Sequence, residues 1–357
     1  MEKNYDIIHF EALGEEAAHL EKATQAAQRN NSLPAGLRSL ITPDTVQEFL
    51  RKNPGVVLPD IITTKTHSQL SEDYLKGTKK SIVSRTTGYD HFEHLINEGN
   101  FTTLRDYCIS AVAQTAMKLV YATAGLLNHY MDKARTFERN DIRSFVELTP
   151  DRVATVFGLG RIGKRVHDLL AGSGLTVQAF DFAQDKLEPF YDHTVKFVSK
   201  EEALASSHFF INTMSMVKAP ESKSYNVNFF SKEYLSQAKP GLIFVNVARA
   251  EVAPEAGLLE LYDRNILGGI GLDVFSEEES FSRVVNGEPT NDPNLLAAKE
   301  MLRRSLDRSA NIYIQPHQGF NSDAATVHKA YESIRHVAAW YRNDKKRFDT
   351  QLPYYQG

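Results

Sequence analysis

Two α/β domains, each built on a doubly wound parallel sheet, are the fold class that this sequence predicts. A strand, a glycine-rich turn and a helix follow one another from Val153 to Ala171, and apolar runs of strand length alternate with helix-period segments along most of the chain. At 357 residues the chain also exceeds the usual size of a single hydrophobic core.

Asp6 to Phe10 is a short strand, and Gly14 to Arg29, rich in Ala, Glu and Leu at helical spacing, is a helix. Thr42-Pro43-Asp44-Thr45 starts a helix over Val46 to Arg51, and Val56 to Thr63 is a strand entered through Pro54-Gly55. A short helix from Ser71-Glu72-Asp73 to Leu75 precedes the strand Ser81 to Ser84, which ends in Arg85-Thr86-Thr87-Gly88-Tyr89-Asp90. Val112, Ala116, Leu119, Val120, Ala124 and Leu127 trace one long helix from Ile109 to about Lys133, long enough to connect two domains. Beyond the glycine-rich unit, strands are expected at Leu175 to Phe180, Thr194 to Val198, Phe209 to Thr213, Leu242 to Val247, Ile270 to Val274 and Asn311 to Ile314. Helices at Lys200 to Leu204, Ser231 to Ala238 and Glu255 to Asp263 fall between them. A last helix, Asp323 to Lys345, carries Val327, Tyr331, Ile334, Val337, Ala338 and Tyr341 on one face, while Trp340 and the tail pair Tyr354-Tyr355 read as packing residues.

Composition narrows the class. Apolar and charged fractions of 42% and 24% are those of a globular protein and exclude disorder and fibre. A net charge of -4 gives no reason to expect a nucleic acid or an anionic membrane as partner. The single cysteine, Cys108, sits among apolar residues as inert core and forms neither an internal disulfide nor a metal cluster. No histidine or cysteine spacing marks a metal site, and neither a signal peptide nor a membrane span is visible, so a cytoplasmic protein is expected.

Gly158, Gly160 and Gly163 form G-x-G-x-x-G between strand and helix. The first permits the turn, the second lets a pyrophosphate approach the backbone, and the third lets helix and strand pack closely. The next strand ends in Asp181, at the distance where an acidic side chain meets a ribose 2′-hydroxyl. Asp181 would repel a 2′-phosphate and Phe182-Ala183-Gln184 offers no arginine to receive one, so NAD is expected rather than NADP. Ligands of doubly wound folds bind at the carboxyl ends of the strands. There this chain places Asn246-Val247-Ala248-Arg249, then Asp273 with Glu277-Glu278-Glu279, then Gln315-Pro316-His317-Gln318-Gly319.

With these motifs the chain resembles the D-isomer-specific 2-hydroxyacid dehydrogenases. Gly-Leu-Gly-Arg-Ile-Gly at 158 to 163, Asn-Val-Ala-Arg at 246 to 249, Gly-Leu-Asp-Val-Phe at 271 to 275 followed by Glu278, and Pro-His at 316 to 317 match in order. Phe320, three residues after the histidine, is similar to the fermentative D-lactate dehydrogenase branch. The resemblance implies two Rossmann-like domains with the active site in the cleft between them: residues 1–107 with 322–357 as substrate domain, and 108–321 as NAD-binding domain. It implies NADH-dependent, reversible reduction of a 2-oxo acid to the D-2-hydroxy acid by a homodimer. His317 would protonate the keto oxygen, Glu278 would pair with it and favour the imidazolium, and Arg249 would hold the substrate carboxylate. Gly158, Gly160, Arg161, Ile162, Gly163, Asp181, Ala248 and Asp273 would hold the cofactor, with Asp273 on the nicotinamide side. Thr87, Gly88, Tyr107, Arg249 and Phe320 would line the substrate pocket. From the residues themselves Thr63 and Lys65 are further candidates for its lining, Lys65 suiting either a second acid group or nothing but solvent. Ala250, Ser280 and Gln114 depart from the family's usual glycine, proline and glutamate, and Asn212-Thr213-Met214-Ser215-Met216 lacks the usual histidine and proline. A dinucleotide-sensing regulator and a formate-oxidising enzyme are the alternatives; the first has no need of a proton donor, and the second pairs its histidine with glutamine.

Overall fold

The structure, a computed structural model, describes residues 5–76 and 80–352; the tail pair Tyr354-Tyr355 lies outside them. The chain divides into two compact units, Met1–Cys108 with Asn321–Gly357, and Ile109–Phe320. Each is built on one parallel sheet.

In the first unit the strands are β1 (Ile7–His9), β2 (Ser39–Ile41), β3 (Ile61–Thr64), β4 (Ser81–Ser84) and β5 (Asn100–Thr103). They pair in the order β2-β1-β3-β4-β5. The order reverses at β1, so the segments that follow β1 and β3 flank a topological switch point. Phe10, Phe49, Phe92 and Phe101 fill the core on one side, and helices Gly14–Arg29 and Asp323–Arg342 pack on each other, the second also against β4. Tyr331, expected on the packed face of the last helix, is instead exposed, whereas Trp340 is buried. Thr45 and Glu48 form a capping box at the expected start of the helix Val46–Lys52.

The second unit holds β6 (Val153–Phe157), β7 (Thr176–Phe180), β8 (Phe209–Asn212), β9 (Leu242–Asn246), β10 (Leu267–Leu272) and β11 (Ile312–Ile314), in the order β7-β6-β8-β9-β10-β11. Its switch point lies at β6, where the glycine-rich turn emerges. Phe157, Phe210, Phe230 and Phe244 pack edge to face at centroid separations of 4.6, 4.8 and 5.1 Å, a contiguous aromatic centre behind that turn.

Several elements differ from expectation. The strand expected at Thr194 to Val198 is a single parallel bridge, Ala179 with Phe197, outside β7. As an edge segment it has one neighbour, and Thr194 is committed to the preceding turn through its hydroxyl on the Tyr191 carbonyl. The long helix is two, Ile109–Ala124 and Leu127–Lys133. Leu126 between them adopts φ 48° and is buried in place of the exposed Leu127, so the apolar spacing continues across a break that it does not reveal. The segment between Phe275 and Asn311 folds as helices Glu278–Val285 and Pro293–Leu306, the latter capped by Asp292 on the amides of Asn294 and Leu295.

Glu11 closes the end of β3. Its buried carboxylate accepts from the hydroxyls of Thr64 and Ser68 at 2.7 Å each and from the amides of Lys65, His67 and Ser68 at 2.9, 3.1 and 3.2 Å. Burial alone would raise its pKa, but these bonds outweigh burial and hold it below the ordinary 4.5. Its stabilisation is therefore fully present above that ordinary value and is lost as the pH falls through the folded-state value. Glu11→Gln is expected to cost about 1–3 kcal/mol at pH 7 in urea denaturation, with the gap to wild type narrowing in acid. A pH-independent gap would contradict the carboxylate's role.

Candidate active site

The glycine-rich turn owes its shape to two close approaches. Gly158 has φ 85° and lies against the Met214 backbone. A Cβ on Gly163, in the first turn of the helix Arg161–Gly172, would overlap the Gly158 carbonyl oxygen and come within 2.7 Å of Thr213 Oγ1. Gly160 is different: it caps the helix without a side chain, and nothing lies within 4 Å of the place a Cβ would take. Open space thus stands above uncapped helix amides, a cradle that suits a pyrophosphate. Arg161 is exposed and Ile162 half-buried at the same helix start. Asp181, just past β7, accepts from the Leu159 amide at 2.7 Å and the Ala183 amide at 2.8 Å, placing an acid against the glycine turn as ribose recognition requires. The donor set fits NAD.

At the end of β9 the buried Asn246 shapes the loop bearing Arg249. Its Nδ2 donates to the Arg249 carbonyl at 2.9 Å, and its Oδ1 accepts from the Ala248 amide at 3.1 Å and from Asn212 Nδ2 at 2.9 Å. Asn212, at the end of β8, accepts in turn from the Met214 amide at 3.1 Å. Arg249 is half-buried, with Nη1 donating to the Ala248 carbonyl at 2.9 Å.

Glu278 and His317 meet at the ends of β10 and β11. Nδ1 of His317 lies 2.8 and 2.9 Å from the two carboxylate oxygens of Glu278. An ionised carboxylate only accepts, so Nδ1 carries the proton. Of the three successive glutamates, Glu278 alone makes this contact: Glu279 faces Arg283 at 2.8 Å, and Glu277 is the turn residue, φ 47°, that starts the helix. His317 itself sits at φ 50°, a conformation that costs energy for a residue with a side chain. The ring of Phe320 lies 6.2 Å from the imidazole, edge to face.

Asp273 holds that histidine loop. The carboxylate, expected on the nicotinamide side, is buried and accepts from the backbone amides of Gln318 at 3.0 Å and Gly319 at 2.8 Å. Burial pushes its pKa up, and the two amides together with His317 pull against that shift. Glu255 does the same for the neighbouring loop, accepting from the amide and hydroxyl of Ser276 at 2.7 and 2.9 Å, and burial raises its pKa too. The anchoring roles of Asn212, Asp273 and Glu255 were not expected; for the first two the available signal was a polar side chain ending an apolar strand, as in Phe-Phe-Ile-Asn, and Glu255, which opens a helix, gave none.

In the first unit, Thr87 is exposed with Oγ1 at 3.2 Å from Cys108 Sγ, the Gly88 carbonyl accepts from Thr86 Oγ1 at 2.7 Å, and Tyr107 is buried, which drives its phenol pKa upward. Among the described residues no group of three His, Cys, Asp or Glu could hold a metal ion, and no helix is long and apolar enough to cross a membrane.

A family model described as the NAD-binding domain of D-isomer specific 2-hydroxyacid dehydrogenases matches residues 117–319, more than half of the chain. The chain belongs to the D-isomer-specific 2-hydroxyacid dehydrogenase family. It is thereby an NAD-dependent oxidoreductase. Among relatives of this dehydrogenase, the D-lactate dehydrogenase of Staphylococcus epidermidis is 23% identical over 320 residues, covering 85% of this chain and 90% of that one. The crystal structure of D-lactate dehydrogenase from Aquifex aeolicus, complexed with NAD and lactic acid, superposes with a TM-score of 0.75 at 20% identity, covering 98% of this chain and all of that one. D-2-hydroxyisocaproate dehydrogenase gives a TM-score of 0.77 at 18% identity, covering 97% and 99%. At such identities these structures establish the fold.

Gly163→Ala is expected to raise the dissociation constant for NADH roughly tenfold or more, measured by fluorescence titration, because the helix must move off the turn that cradles the phosphates. Unchanged affinity in a folded variant would mean that the close approach does not govern cofactor binding.

Proposed function

We propose that this dehydrogenase reversibly reduces a 2-oxo acid to the D-2-hydroxy acid, with His317 as proton donor, Glu278 as its partner and Arg249 as the substrate-binding cation. The bonded pair of His317 Nδ1 and Glu278 supports this most directly. With Nδ1 engaged, Nε2 is the nitrogen from which a proton passes to the keto oxygen, and Glu278 compensates the imidazolium before transfer. Bound NADH supplies the hydride that completes the reduction. Arg249, presented by the Asn246 hinge, offers a planar fork to the substrate carboxylate and draws electron density from the adjoining carbonyl. Thr87, Gly88, Tyr107 and Phe320 are the further substrate-contacting residues of this reading. The cofactor is held by Gly158, Gly160, Arg161, Ile162, Gly163, Asp181 and Ala248. Asp273 acts at one remove, by fixing the histidine loop.

The decisive experiment is NADH oxidation by the purified protein with 2-oxo acids, wild type beside His317→Ala and Arg249→Lys. Turnover by the wild type is expected, with His317→Ala lowering kcat by about two to four orders of magnitude while NADH still binds. Arg249→Lys should chiefly lower kcat/KM. Substantial turnover by His317→Ala would remove the histidine from its role, and NADH binding without turnover in the wild type would favour a regulator.

A homodimer is also proposed. Leu127, Met131, Phe137 and Phe145 are exposed within one short stretch of the second unit, an apolar concentration that a partner copy would cover. Light scattering should give twice the 40.2 kDa chain mass, and a monomer at micromolar concentration would refute the assignment.

A further inference from the structure

The middle residue of the glycine-rich turn is gripped from both sides. Leu159, fully buried between Gly158 and Gly160, gives its amide to Asp181 Oδ2 at 2.7 Å, and its carbonyl accepts from the Tyr191 hydroxyl at 2.9 Å. Both partners belong to one connection: Asp181 opens it just after β7, and Tyr191 closes the helix Gln184–Phe190 that follows. That helix ends sharply. Asp192 and His193 adopt φ 50° and 55°, and the amide and hydroxyl of Thr194 both bond the Tyr191 carbonyl, at 2.9 and 2.7 Å. Lys164 Nζ, held by Asp168 at 2.5 Å, lies 5.6 Å from the centre of the Tyr191 ring. The phenol is thus fixed at its backbone and flanked at its ring, with its hydroxyl on the turn.

A buried carbonyl needs a donor, and Tyr191 would satisfy that need with or without a ligand. The bond does more than this, because the Leu159 carbonyl and the Gly160 amide belong to one trans peptide and point in opposite directions. Holding the carbonyl therefore holds the amide. Glycine adopts positive and negative φ about equally, so at Gly160, where φ is −68°, the backbone alone does not choose between this peptide orientation and its reverse. In the reverse orientation carbonyl and amide exchange places. The difference matters at the start of a helix whose cap has no side chain, where an N–H attracts an anion and a carbonyl oxygen repels it.

We propose that Tyr191 is a positioning residue for the cofactor: its hydroxyl holds the Leu159–Gly160 peptide with the Gly160 amide turned toward the diphosphate. Asp181 fixes the other side of Leu159, so one connection both meets the ribose and sets the donor that meets the phosphates. Without the hydroxyl, the Leu159 carbonyl takes its bond from water, which fixes no direction, and the cradle loses part of its preorganisation. The assignment rests on placing the diphosphate at the glycine-rich turn, and it adds a residue that lies outside the G-x-G-x-x-G pattern.

The test reads binding rather than turnover. ADP-ribose carries the diphosphate and adenosine does not, so the ratio of their affinities, each measured by displacement of fluorescent NADH, isolates the phosphate cradle. Tyr191→Phe removes one hydroxyl and keeps the ring. It is expected to lower that ratio by about three- to tenfold, with the affinity for adenosine unaffected. Tyr191→Leu gives the same reading should the first variant fail to fold. Equal losses on both ligands would reduce Tyr191 to structural support, and an unchanged ratio would remove it from the cradle. Gly163→Ala, measured alongside, separates the two levels of the argument. If it lowers the ratio while Tyr191→Phe does not, only the role of Tyr191 fails; if it leaves both affinities intact, the diphosphate does not lie at the turn and the assignment falls with that placement.

Discussion

The buried carboxylate of Asp273 is the interaction on which the geometry of the second unit's histidine loop depends. Its two oxygens hold the amides of Gln318 and Gly319, and the residue immediately before them is His317, in a left-handed conformation that would relax if the loop were free. Burial raises the Asp273 pKa, so relative to the unfolded chain its ionised form is disfavoured, and stability is lost as the pH rises through the folded-state value. A group that lowers stability when ionised and fixes the position of a strained histidine is what preorganisation looks like when it is built from electrostatics.

The same device recurs next to strand ends, and once at a helix start, in the two units. Asn246 holds both sides of Arg249's turn, Asn212 holds the start of the loop after β8, Glu255 holds Ser276 ahead of Glu278, Asp181 holds the glycine turn, and Glu11 holds the loop that begins at Lys65. In each case a side chain in or next to a regular element bonds backbone groups of an irregular segment that the sheet cannot satisfy. Loops carry the groups that touch ligand, but their geometry is inherited from the elements through these bonds. Replacing one anchor would therefore disturb a loop several residues long rather than a single contact.

This arrangement explains what could and could not be seen in the sequence. The central strands of the second unit are apolar runs bounded by turn residues, and the glycine turn, Arg249, Glu278 and His317 lie in short motifs, so all were legible from local pattern. Strands β2 and β5 were not, because Ser-Leu-Ile is three residues long and Asn-Phe-Thr-Thr has one apolar residue in four. The anchors were the hardest. Asp273 and Gly319 are 46 positions apart, and Glu11 and Ser68 are 57 apart, so in the sequence each acid looks like an ordinary surface carboxylate. Asp273 drew attention through its motif as a residue of the nicotinamide side, but the motif does not reveal the two distant amides that its carboxylate holds.

Burial divides these roles. The anchors Asp273, Asn246 and Asn212 are nearly inaccessible, whereas the side chains of His317 and Glu278 are 36% and 44% exposed. An ion pair so exposed is screened by water and contributes little to stability, so its close geometry cannot come from its own attraction. It must come from the anchors, which hold the two loops whether or not the imidazole is charged. Water displaced by a bound ligand would then strengthen an interaction whose geometry is already set.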